Sequence, residues 1–147
     1  MNKIPTVLIA GLTVMALFGP AAAEGLADLT ALTAGDVVAL QLSLYAPVAW
    51  QNTIRSYDAP FVAYFNRKDG LVVINIFGTR DDMEFVRQLM DTYRNLVETD
   101  FISYLSKSRE LAVKPSDFRI TYRNRNEEGI KELLIWEQGK FKFPLEK

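Results

Sequence analysis

The sequence predicts an α+β fold: a small antiparallel sheet of about five strands with one long helix packed on it, plus an ambiguous apolar N-terminal segment. Three observations carry this expectation. Two apolar runs, Phe61–Asn66 and residues 71–77, flank Arg67-Lys68-Asp69-Gly70, and Asp-Gly is the usual signal for a tight turn between strands. Val86, Leu89, Met90, Tyr93, Leu96, Val97 and Phe101 then recur at helical spacing. After Pro115 the pattern changes to alternation, as in a half-buried strand.

The elements follow in order. Residues 1–23 read as a secretory signal peptide. Lys3 supplies the charge, residues 4–19 the apolar stretch, and Ala21-Ala22-Ala23 the small-residue pattern expected before cleavage at Glu24. A retained membrane anchor is the alternative, because residues 4–23 carry no charge, but Pro5, Gly11 and Gly19 weaken a span. Residues 24–147 then form one domain, and residues 24–34 are a weakly apolar lead-in.

Residues 37–50 fit two templates. Val38, Leu40, Leu42 and Leu44 alternate as in a strand, while Val37, Leu40, Leu44 and Val48 fit one side of a helix. Leucine and alanine outnumber β-branched residues, and Asp36 can cap, so the balance leans to helix. The long helix is announced by Thr79 as cap and by Asp81, Asp82 and Glu84 near its start, where the macrodipole favours negative charge. Its pattern runs to about Arg109, with a break expected near Thr99-Asp100. Phe118, Ile120 and Tyr122 alternate with Arg119, Thr121 and Arg123; two further short strands follow, over residues 130–137 and 140–143.

The strands differ in kind. The hairpin is apolar on both sides, which places it in the middle of the sheet, while the strand from Phe118 shows one wet side and belongs nearer an edge. One helix covers one sheet face. The other face is expected to be covered by residues 37–50 folding back, by a partner, or by an apolar ligand.

Composition sets limits on function. Apolar residues make up 49% of the 147, enough for a core and too many for disorder. The absence of cysteine excludes disulfides, thiolate metal sites and cysteine nucleophiles; the absence of histidine removes the commonest general base and metal ligand. A net charge of −1 argues against a dedicated nucleic-acid binder. No G-x-S-x-G, Ser-x-x-Lys or phosphate loop is present, so no catalytic residues, metal or cofactor are expected. Asp81-Asp82 and Glu127-Glu128 are sequence neighbours and do not face each other as an acid–base pair. The run Asn124 to Gly129 resembles the start of a calcium loop, but position twelve is Ile135 where a bidentate Glu is needed.

The candidate binding residues are Arg119, Arg123 and Arg125, which point one way along a strand, Asn75, the odd polar residue in an apolar strand, and Trp136. The basic row serves either an acidic partner or the protection of a sheet edge. The expected function is that of a non-catalytic exported accessory protein, periplasmic or secreted, in a bacterial envelope. Its partner is an envelope protein or a second copy met through an apolar sheet face, with no nucleic acid and no stable membrane insertion after cleavage. The alternative is a carrier or sensor of a small apolar ligand held between sheet and helix, lined by Tyr64, Phe65, Phe77, Tyr93 and Trp136.

Overall fold

The computed structural model describes residues 33–144; the expected signal peptide lies outside them. The chain runs α1 (Ala34–Ala49), α2 (Gln51–Tyr57), β1 (Phe61–Asn66), β2 (Leu71–Gly78), α3 (Met83–Leu96), a π-helical turn (Val97–Phe101), α4 (Ile102–Arg109), β3 (Phe118–Asn126), β4 (Gly129–Glu137) and β5 (Lys140–Lys142). One five-stranded sheet has the order β1-β2-β3-β4-β5, so the fold is α+β with a long helical stretch against the sheet.

Segment 37–50 is helical. Thr33 caps α1, with Asp36 three residues on returning a bond to the Thr33 backbone N–H, so Asp36 completes a capping box and is not the cap itself. Gly35 lies against the ring of Phe65 so closely that a Cβ there would collide with it, which lets α1 settle directly on β1. The long helix starts later than Thr79. Asp82 takes the N-cap position, and its carboxylate is held by Arg80 at 2.9 Å instead of by the helix backbone.

Three features of the sheet differ from the sequence expectation. β2 and β3 are parallel, with Ile74 opposite Ile120, while the other pairs are antiparallel. The long helical stretch between them permits this: a parallel pair needs a crossover of that length, which a tight turn cannot supply. That crossover puts β3 beside β2 and leaves β1 at an edge. The hairpin is therefore not central; Val62 and Tyr64 are 52% and 43% exposed. Apolar residues on both sides of β1 do not mean that both sides are covered.

The third difference concerns α1. Val38, Leu42, Ala46 and Trp50 join Leu89, Tyr93, Phe101, Ile74, Ile76, Phe118, Ile120 and Trp136 in one core. Helices α1 and α3 thus share one sheet face, and α1 does not cover the other. The reason is width: a single helix is about 10 Å across, and five strands spaced about 4.8 Å apart need two helices to close one side. Each fully buried Leu, Ile or Phe there contributes about 1.5–3 kcal/mol. Buried polar tips are satisfied: Tyr93 donates to the Ala59 carbonyl at 2.9 Å, and Tyr122 to the Arg80 carbonyl at 2.7 Å.

The break expected near Thr99-Asp100 is a wide turn in an unbroken helix. Tyr93, Val97, Phe101 and Leu105 are all buried, at successive steps of four. In a regular helix each such step drifts by about 40°. The π turn absorbs the drift and keeps Phe101 and Leu105 on the core.

Candidate interaction surfaces

Four of the five candidate residues share one sheet face. In the register Val73 lies opposite Arg119, Asn75 opposite Thr121, and Phe77 opposite Arg123. Period-two alternation puts Arg125 on the same side. This is the face away from the helices. Trp136 is on the other: it pairs with Ile120, is 1% exposed and belongs to the core.

The basic row is largely neutralised. Arg119 binds Glu137 at 2.7 Å and Asp69 at 2.9 Å; Arg123 binds Glu132 at 2.9 Å. Burial works against the charge of Arg119, but its bonds to Glu137 and Asp69 outweigh this and raise its pKa. Arg125 has no ion pair among the described residues and sits over the Phe77 ring at 5.3 Å, beside a cleft of about 410 Å³. Asn75 is 5% exposed. Its Oδ1 and the Nε of Arg123 are buried without hydrogen-bond partners, on diagonal neighbours of this face. Lys140 and Lys142 fall alongside Glu137 and Ile135 on the same side, whereas Lys131 pairs with Asn124 on the other.

The calcium-like run is a turn that uses its own oxygens. Asn126 Oδ1 accepts from the Glu128 N–H at 2.8 Å, and Asn124 Oδ1 accepts from Asn126. Among the described residues no group of three or more acidic side chains converges as a metal site. The five aromatics expected to line an apolar pocket do not share one: Tyr93 and Trp136 are packed in the core, Phe65 lies against Gly35, and Tyr64 and Phe77 are on the far face.

A surface not recognised in the sequence lies on α1. Leu40, Leu44 and Val48 follow one another at i, i+4 and i+8 and are 53%, 64% and 80% exposed. They form a ridge turned away from the sheet, because the buried row of the same helix is Ala34, Val38, Leu42 and Ala46. The signal was present: two apolar rows at helical spacing on one helix, where only one can face a core. Beside the ridge a groove of about 330 Å³ runs between α1 and α4, lined by Leu44, Tyr45, Val48, Tyr104 and Arg109.

The floor of that groove is fixed by the π turn. Asp100 accepts from Tyr45 Oη at 2.8 Å and from Trp50 Nε1 at 2.7 Å, and Tyr45 stacks on Tyr104 at 4.2 Å. Burial, and then the bond to Asp100, push the Tyr45 phenol up to about 12. The unfolded chain loses this proton nearer the ordinary value of about 10. Stability from this group is therefore complete below about pH 10 and lost as pH rises from about 10 to about 12. Tyr45→Phe should shallow the fall in stability measured by denaturant titration across that window. Tyr93 and Tyr122, also raised by burial, leave the remainder of the slope. An unchanged slope would show that Tyr45 is not held this way.

Comparison with known proteins adds no relative: no family model, no curated protein and no solved structure matches the chain.

Proposed function

We propose that this chain is a non-catalytic binding or accessory protein of a bacterial envelope, exported by residues 1–23 and acting through a protein–protein surface on α1. The observation that carries the reading is the ridge Leu40, Leu44 and Val48, exposed by more than half at each position. Water-exposed apolar residues scattered singly need no explanation, but a row on one helix side beside a groove is a typical interaction site. The partner is an envelope protein offering an apolar helix side, which would lay its own i, i+4 residues into the groove between α1 and α4. Arg109, at the groove wall, suits an acidic residue at the end of that helix. The absence of cysteine and histidine supports a non-catalytic role, as do the ion pairs that occupy Arg119, Arg123 and Asp82. No described helix is long and apolar enough to cross a membrane, in keeping with a partner met in solution or at a membrane protein's surface.

The test is the pair Leu44→Glu and Val48→Glu, made together. Both side chains point to water, so stability should stay within about 0.5 kcal/mol of the parent. Native mass spectrometry of the parent protein from its host envelope should show a larger species, and the double variant should lack it. A complex that persists unchanged in the folded variant would remove α1 as the binding surface. The intact mass of the recovered chain also tests the loss of residues 1–23.

A further inference from the structure

Strand β1 has a free edge without the usual guards against pairing. Natural sheets guard edge strands with charge, proline or a bulge. Strand β1, Phe-Val-Ala-Tyr-Phe-Asn, has no charge and no internal proline, and its pairing with β2 is regular throughout. Among the described residues no strand lies on its other side. A groove of about 600 Å³ opens there, walled by Pro47, Ile54 and Arg55 from the helices and by β1 itself.

Hydrogen-bond parity identifies which backbone groups are free. The Phe77 N–H donates to the Pro60 carbonyl at 2.9 Å, so Pro60 and Phe77 are a bonded pair. Bonded and non-bonded pairs alternate in an antiparallel ladder. Val62 and Tyr64 therefore bond to β2, and Phe61, Ala63 and Phe65 turn their N–H and C=O groups to the free edge.

We propose that two copies of this chain join antiparallel at β1, with the twofold axis at Ala63, to make one ten-stranded sheet. In this register Ala63 bonds Ala63 of the second copy, and Phe61 bonds Phe65 at each end, so all the outward groups of these three residues are paired. The non-bonded pairs are then Val62 with Tyr64 of the second copy, and the reverse. These are the two exposed apolar residues of the strand. Side chains approach most closely at non-bonded pairs, and β-branched with aromatic is a favourable combination. The interface uses the sheet edge and does not depend on the α1 ridge.

Sedimentation of the chain recovered from its host, over a range of micromolar concentrations, should give a dimer. The variant carrying Val62→Lys and Tyr64→Lys sets lysine opposite lysine at two places and should raise the dissociation constant by more than about tenfold. The variant carrying Val62→Lys and Tyr64→Glu sets opposite charges at the same places and should restore the dimer. Circular dichroism on each variant reports folding. A parent that stays monomeric overturns the proposal, as does a dimer indifferent to the double lysine. A lysine–glutamate variant that folds but stays monomeric overturns the register. A dimer lost only in the Leu44→Glu, Val48→Glu variant also overturns the proposal and moves self-association to α1.

Discussion

Trp136→Ala is expected to destabilise the protein by about 3–5 kcal/mol, the range for removing a fully buried aromatic from a core. Trp136 is 1% exposed and sits between Ile120 on β3 and Phe141 on β5 in the register. The cavity left behind lies in the core shared by the sheet and the helices, and its residual volume adds to the lost burial. Urea titration should show the midpoint falling with the slope retained, and the melting temperature should drop on the order of 10–20 °C. Trp136→Phe should recover much of the loss by keeping a ring in the core. A variant that melts normally but no longer binds a partner would return Trp136 to the binding surface.

Asp100→Ala is the second large effect. It leaves two donors, Tyr45 Oη and Trp50 Nε1, without their acceptor. A buried donor without a partner costs about 1–3 kcal/mol. Trp50, 2% exposed, bears the full cost, while Tyr45, half-buried, can turn toward water. The expected total is about 2–4 kcal/mol. Asp100→Asn keeps one acceptor oxygen and should lose less. Combined with Tyr45→Phe, the alanine variant should cost less than the two changes summed, because both remove the same bond. Strict additivity would mean that Asp100 and Tyr45 act separately.

Local pattern was legible in the sequence, and pairing across the fold was not. Asp69-Gly70 between two apolar runs marks the hairpin because the turn chemistry is confined to four residues. The stripe from Val86 to Phe101 marks the helix, but where the sequence suggested a break near Thr99-Asp100 the helix continues through the π turn. Strand direction was not legible, because β2 and β3 meet only through the crossover. The position of β1 was not legible either. Val62 and Tyr64 are as apolar as buried residues, and apolarity alone does not distinguish a covered strand from an exposed edge strand. The same holds for α1, where Leu40, Leu44 and Val48 match the helical template as well as the row that is buried. The arginine row could be placed on one side of a strand from its spacing. Its neutralisation by Asp69, Glu132 and Glu137 depends on long-range contacts that spacing does not contain.

The most direct measurement is photo-crosslinking in the host from a reactive residue at position 44, with position 68 in the exposed hairpin turn as control. A discrete adduct with another envelope protein from position 44, absent from position 68 and abolished by Val48→Glu, is the expected result. Equal adducts from both positions, or none from position 44 in a folded and exported chain, would contradict binding through α1.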